Sequence, residues 1–400
     1  MFRFFLVFFF SFSALASSDR QFAHFGDRER RELNTPNLVT SEYQSDRLTY
    51  QYLNSWNLFW ENEDNVFQYT AGSLGPSRFA THGRGKMETS ITDSWKFRFY
   101  YFEAGSLTEA REAIIFEFDY KLFSFWNIYL YGEPDTFKSE DDVGLASQWK
   151  LTDSQTFKVF YTWVDFSHNK RTEDLSRYDK KPGSGGFIWN YFGDNRNFTQ
   201  LFFRHDQATQ QIFQSGRIYQ FSGTELKLTD YTKLSDSNNY LSSEILFRSG
   251  SEGDTQNTNL VDNYFELKQV DGLLQVANDF SRIHLYGIRA IYTQWESASG
   301  QVIHNDLLPH IWGRVARYVD GERIHQIDLG YEMTWHRGRG LAALRSDLDG
   351  NDRSEHRLNF KYNFIASQKT YINFLLTFDM DELGTGETWE GGAMQFHTRF

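Results

Sequence analysis

Three groupings in the chain have residue types and spacings with chemical meaning. In RSDLDGNDRSE, Asp347, Asp349, Asn351 and Asp352 share one short stretch. Closely spaced oxygen ligands suit a hard cation such as Ca²⁺. An EF-hand loop needs its glycine at the sixth position, and Gly350 is the fourth counted from Asp347, so the stretch reads as a solvated acidic turn. In HNDLLPH, His304 and His310 flank Asp306. On a strand they share a face, but at ~3.4 Å per residue they stand about 20 Å apart, too far to share a metal. Glu117 and Asp119 share a strand face at roughly 7 Å, a separation met in glycosidases. Lys121 follows on the same face, and the three read as a charge ladder. There is no G-x-S-x-G elbow, no G-x-x-x-x-G-K-[ST], and no G-x-G-x-x-G leading into a helical pattern. With no cysteine there is no thiol nucleophile, disulfide framework or zinc ribbon. The expectation is a protein that performs no chemistry, without catalytic, cofactor-binding or metal-binding residues.

The same charged residues have another use. From about residue 92 onward, polar and apolar residues alternate with period 2, the mark of strands with two different faces. In HQIDLGYEMTW, Ile327, Leu329, Tyr331, Met333 and Trp335 point one way, and Gln326, Asp328, Gly330, Glu332 and Thr334 the other. HRLNFKYNF, YINFLLTF, WKFRFYYFE and AIIFEFDYKL repeat the pattern, whereas QQIFQSGRIYQF and GLLQVANDF follow it poorly. The apolar face is heavily Phe, Tyr and Trp, unlike the aliphatic core of a soluble sandwich. Connections alternate between short (TDSQ at 152–155, VDGE at 319–322, ASQK at 366–369) and long (133–142, 167–185, 337–354, 379–389). No self-similar period of 20–50 residues appears, which disfavours propellers and solenoids.

Composition agrees. The 400 residues carry a formal charge of −12 and 18% aromatics, with 39 Phe, 22 Tyr and 11 Trp. Mean hydropathy is −0.59, too polar for a helical membrane protein. The aromatic content is too high for disorder, and the acidic balance opposes general nucleic-acid binding. The chain opens MFRFFLVFFFSFSALASSDR: Arg3 as a positive n-region, an apolar h-region over 4–12, and Ala14-Leu15-Ala16 fitting the small-x-small cleavage rule. The reading is a signal peptide over 1–16 and an exported mature chain. Residues 17–90 read as an N-terminal extension with a short helix around 47–60 and the Gly-rich, loop-like AGSLGPSRFATHGRGK. It would serve as a plug, lid or lead-in, and residues 91–400 as the barrel.

These features together resemble the Gram-negative outer-membrane β-barrels of the porin-like class; no particular family is singled out. The final AMQFHTRF carries the terminal aromatic of that class at Phe400, with Met394 and Phe396 at alternate positions before it; Thr398 departs from the pattern. The resemblance implies an all-β transmembrane antiparallel β-barrel in the cell outer membrane, and counting the strand segments gives about 18, within a range of 14–18. Merging segments at 249–260 and at the tight VDG of 270–272 lowers the count to 16. At 16 to 18 strands the lumen is aqueous. The implied partners are outer-membrane lipid and lipopolysaccharide, and the barrel-assembly machinery acting on the strand that ends at Phe400.

Alternation then assigns the lumen-lining residues: Lys96, Arg98, Glu117, Asp119, Lys121, Lys150, Lys158, Arg204, Arg248, Lys268, Arg289, Asp328, Glu332, Arg357, Lys361 and Arg399. Lys227, Glu225, Glu244 and Glu266 fall on the same face, so bases outnumber acids on the wall of an acidic chain. Two readings follow: the wall concentrates anions, or its charges pair across strands and only keep the lumen wet. Tyr100, Tyr129, Tyr131 and Phe202 on the wall form either a sugar-stacking track or a packing surface for the N-terminal segment. The functional expectation is passage or export of small polar solutes, anions among them, of unknown identity. The competitors are a plugged structural, assembly or adhesion barrel, and a polysaccharide-secretion pore.

Overall fold

The computed structural model describes residues 65–399 apart from several connections, the longest of which are 134–141, 167–175, 255–264 and 340–352. The expected signal peptide, the expected helix around 47–60, the acidic turn containing Asp347, and Phe400 lie outside the described residues. The described chain is all strand and turn. β1 (Val66–Leu74), β2 (Phe79–Ser90), β3 (Trp95–Ser106), β4 (Ala110–Phe123), β5 (Trp126–Glu133), β6 (Asp142–Thr152) and β7 (Gln155–Trp163) open the sheet. β8 (Ser176–Lys180), β9 (Gly183–Phe192), β10 (Phe198–Phe213), β11 (Ile218–Lys233), β12 (Tyr240–Asp254) and β13 (Phe265–Ala277) continue it. β14 (Ile283–Ser297), β15 (Gly300–Val319), β16 (Glu322–Arg339), β17 (Arg353–Ser367), β18 (Thr370–Asp379) and β19 (Trp389–Arg399) complete it.

Every pairing is antiparallel, and β19 pairs with β1, so the sheet closes on itself. Closure removes the edges that an open sheet would expose. β8 and β9 are two parts of one stave. β10 pairs with β9 through Asp206↔Ser184 and with β8 from Gln210↔Lys180. The break falls at Lys181-Pro182, where proline cannot donate to the ladder. Nineteen segments therefore make an 18-stranded barrel.

Polarity is inverted relative to a soluble protein. Large apolar side chains stand outward and exposed, among them Leu130, Leu145, Ile245, Phe247, Leu329 and Met394. The residues beside them in sequence point inward and are polar and buried, such as Glu117, Arg204, Arg248, Asp328 and Arg357. Such a wall is stable only with lipid outside. On the outside, rings run in contact from strand to strand near the short-turn end. Trp126 and Trp149 stack at 6.4 Å, Trp149 and Phe157 at 6.3 Å, Phe157 and Phe187 meet at 5.8 Å, and Phe187 and Phe203 stack at 5.5 Å. This is the aromatic girdle of a membrane interface. Among the described residues no helix is long and apolar enough to cross a membrane; the crossing is made by strands.

The barrel begins at Val66, which corrects the expected boundary at residue 91. The Gly-rich stretch is the hairpin β1–β2 rather than a loop. Gly85 lies between Phe67 and Tyr101, and Gly83 between Tyr69 and Glu103. Aromatic neighbours cover glycines in a sheet, and the backbone ladder on both sides of β2 holds without an alternating side-chain pattern. The segment VDG at 270–272 is no turn: β13 runs straight through it. In the poorly alternating QQIFQSGRIYQF the turn lies between β10 and β11, where Gly216 has φ 81°. β2–β3, β4–β5, β6–β7, β15–β16 and β17–β18 are joined by short turns at one end, the end that also holds Val66 and Arg399.

Candidate pore lining

Inward side chains fall into cross-strand rows because antiparallel partners share a face. One network centres on Arg98 of β3. Its Nε donates to Glu88 Oε2 at 2.7 Å, Nη1 to Glu117 Oε1 at 2.5 Å, and Nη2 to Asp119 Oδ2 at 3.2 Å. Lys96 Nζ also donates to Glu88, at 2.7 Å. A fixed five-donor guanidinium suits this role, since it can hold several carboxylates at once. Beside it, Lys158 Nζ stands 4.0 Å from the centre of the Tyr129 ring.

A second row crosses β10 to β13 as Arg204, Glu225, Arg248 and Gln269. Glu225 Oε2 accepts from Arg204 Nη2 at 3.4 Å and Arg248 Nε at 3.3 Å. Asp206 Oδ2 lies 3.4 Å from Arg204 Nε. Arg248 Nη1 also reaches Gln269 Oε1 at 3.4 Å. Next along the wall, Arg289 forms a bidentate pair with Asp271. Lys227 Nζ and Glu244 Oε2 are 2.8 Å apart. On the adjoining strands β15 and β16, Arg314 Nε donates to Asp328 Oδ1 at 3.0 Å, and Gln326 Nε2 donates to Asp328 Oδ2 at 2.7 Å. Lys361 is the β17 register partner of Asp328. His310, Glu332, Arg357 and Asp379 form another row across β15 to β18.

Of the residues assigned to the lumen from sequence, Lys96, Arg98, Glu117, Asp119, Lys158, Arg204, Arg248, Arg289, Asp328, Glu332, Arg357 and Lys361 thus sit on the inward face. Lys121 and Lys150 share that parity but stand exposed at the short-turn end. Lys150 Nζ reaches Asp153 Oδ1 at 2.6 Å across the turn, and this hydrogen bond holds the Asp153 carboxyl below its ordinary pKa. Arg399 pairs with Val66 at the end of β19, and its side chain lies outside the described ones. Lys268 is a correction: it is exposed on the outer face, as is Glu266, while Gln269 and Asp271 turn inward. The alternation of FELKQVDGLLQV changes phase at Lys268-Gln269. Val270, Leu274 and Val276 take the lipid side against the vote of Phe265 and Leu267, and a one-residue slip exchanges the faces. Sequence reasoning missed Lys86 and Glu88, hidden in the Gly-rich hairpin. It also missed Arg314, Asp271 and Asp206. For Arg314 the inward Leu308 and Trp312 on the same strand blur the alternation.

The wall is not uniformly polar. Tyr100, Ile115, Tyr129, Tyr131, Ala146, Phe160, Ile188 and Phe202 form one apolar cluster on the inward faces of β3 to β10, each 0–5% exposed. It contains all the wall aromatics singled out from sequence. The Tyr131 ring lies over Gly144, its register partner, where a Cβ would overlap it, and Phe160 similarly covers Gly186. Tyr131 Oη is 2.8 Å from Thr162 Oγ1. On the far arc the Trp312 ring covers Gly330.

A closed antiparallel barrel with lipid-facing aromatics and a charged interior is a transmembrane β-barrel. No family model matches, and no curated protein matches. Among solved structures, OccAB3 of Acinetobacter baumannii is similar, with 10% identity over 85% of this chain and 99% of that one and a TM-score of 0.48. The outer-membrane protein opdK of Pseudomonas aeruginosa shares 8% identity over 86% of this chain and 100% of that one, with a TM-score of 0.45. A bacterial polysaccharide outer membrane secretin shares 7% over 84% and 99%, with a TM-score of 0.38.

Proposed function

We propose that this protein is a passive channel of the outer membrane for small polar solutes, anions included. The observation that carries the proposal is the inner wall: a closed 18-stranded barrel is wide enough for an aqueous lumen, and this one carries rows of charge alongside the apolar cluster of β3 to β10. The rows hold donors and acceptors at fixed positions, so a solute exchanges water for wall contacts as it passes. Pairing tempers the anion preference suggested by the excess of bases. Arg98, Arg204, Arg248, Arg289 and Arg314 all lie against carboxylates. Residual positive charge is concentrated where Arg314 and Lys361 flank Asp328.

Reversal potentials across a planar bilayer with a salt gradient test the proposal. The expected result is steady conductance with an anion-to-cation permeability ratio of about 1 to 3, because paired charges focus little net field. Clear cation preference would remove the anion part of the reading. Absence of conductance under all conditions would remove the channel itself. In this reading the surrounding partners are outer-membrane lipid and lipopolysaccharide, with the barrel-assembly machinery acting on the last strand, and residues 1–16 are the export signal.

A further inference from the structure

One row of the inner wall is built from small residues around a single carboxylate. Along the register it runs Tyr131, Gly144, Thr162, Ser184, Asp206, Gly223 and Gly250, across β5 to β12. The Tyr131 ring covers Gly144, and its hydroxyl meets Thr162. From Thr162 onward Asp206 is the one charged residue, and the two glycines beyond it carry no side chain into the lumen. Glycine inside a strand marks a bulge or a close approach of a ligand. A bulge is also present: the β10–β11 register shifts between Asp206 and Thr209. Bulges re-aim the side chains beside them. The break between β8 and β9 at Pro182 lies two residues before Ser184, so the wall is irregular on both strands that carry the polar pair.

Asp206 has hydrogen-bonding capacity that the wall does not meet. It is 3% exposed, and Ser184, its β9 partner, 1%. Neither Asp206 carboxylate oxygen has a hydrogen-bond partner, and nor does Ser184 Oγ. Buried polar atoms left so cost free energy until partners are supplied. Arg204 Nε stands 3.4 Å from Asp206 Oδ2, which balances its charge without closing a hydrogen bond. Charge-assisted bonds normally close to ~2.7–2.9 Å, as Arg98 does on Glu88 at 2.7 Å. The Arg204 contact to Glu225 is equally long at 3.4 Å, so the guanidinium can shift aside when a solute brings shorter bonds. The acids Asp206 and Glu225 are already matched by Arg204 and Arg248. A further cation would leave the row overcharged, so the missing donors are neutral. A vicinal diol presents two O–H donors side by side, as a carboxylate presents two acceptor oxygens. One row toward the short turns, Phe160 pairs with Gly186 at the edge of the apolar cluster, where C–H groups find an apolar neighbour.

We propose that this row is a saccharide-binding station on the pore wall. It rests on the channel reading above and names a solute class for it: neutral, polyhydroxylated molecules of sugar size. Two adjacent hydroxyls of the solute donate to Asp206, Ser184 Oγ donates to a third solute oxygen, and the sugar ring lies over Gly223 and Gly250.

Two measurements on the full chain test the station: calorimetric binding in detergent micelles and block of the ion current in a planar bilayer. The probes are D-glucose, a fully O-methylated glucose that has lost its O–H donors, and methylammonium. Glucose is expected to bind and to interrupt the current at millimolar concentrations, and the methylated sugar to do neither. Asp206→Asn should weaken glucose binding about tenfold, the loss expected for hydrogen bonds to a charged acceptor. Ser184→Ala should weaken it several-fold. Gly223→Val should abolish it by filling the space while both polar groups stay in place. Heat-modifiable migration checks that each variant assembles, and if Asp206→Asn does not, Ser184→Ala and Gly223→Val are read by the same criteria. Equal binding of the methylated sugar, unchanged affinity in the variants, or binding of methylammonium in place of glucose overturns the station. A conducting barrel that binds no glucose also overturns it and leaves the channel standing. Glucose binding that the variants weaken, in a barrel that never conducts, supports the station and overturns the channel reading instead.

Discussion

At the scale of single residues, the inner wall combines satisfied charges with close ring-on-glycine contacts, and the two fail differently when changed. Arg98 donates to three carboxylates. Arg98→Met leaves Glu88, Glu117 and Asp119 close together, with Lys96 on Glu88 and Lys158 beside Asp119 as the remaining balance. The expected cost in urea unfolding from lipid vesicles is on the order of 3 kcal/mol, because an uncompensated buried charge outweighs what the pair itself contributes. The same variant shifts the reversal potential toward cations, which a purely structural role for Arg98 would not do. Gly144→Val acts through shape. The new side chain meets the Tyr131 ring and its hydroxyl, which bonds Thr162. Overpacking of this kind costs ~1–3 kcal/mol. Tyr131→Ala in the Gly144→Val background should recover part of the loss, and no recovery in a double-mutant cycle would show that the ring is not the obstacle.

At the scale of elements, each strand presents two solvents' worth of chemistry. On β6, Leu145 faces lipid and Gln148 faces inward. Leu145→Arg is expected to cost ~2–4 kcal/mol, the penalty for a charge near the midplane of the lipid face, and Gln148→Arg well under 1 kcal/mol. Comparable costs for the two would mean that the faces are misassigned. This face logic is what made the barrel legible in the sequence: strands such as β3, β4, β16 and β17 keep strict alternation, and their inward charges were found by counting alone. It fails where one face carries no side chain or the phase slips. β1 and β2 are rich in glycine, so the alternation that marks a strand is missing, and Lys86 and Glu88 went unseen. In β13 the change of phase sent Lys268 to the wrong face. Pairing partners were not legible at all, because which carboxylate meets Arg98 or Arg248 depends on register, and register is set by all the strands together.

At the scale of the whole molecule, closure decides what counts as the barrel. The alternating region from residue 92 onward supplies β3 to β19, and without β1 and β2 the edges of β3 and β19 have no partners. Unpaired backbone donors and acceptors in hydrocarbon cost several kcal/mol each. β19 and β3 would have to meet directly, in a barrel two staves narrower whose curvature, tilt and stagger all change together. The glycine hairpin is therefore the closing element, and its weak side-chain pattern says nothing about its weight in the fold. A chain starting at residue 91 should fail to give a compact, heat-modifiable barrel in vesicles, whereas one starting at residue 65 should assemble. A well-folded barrel from residue 91 onward would mean that the β1–β2 hairpin adds to a wall already complete.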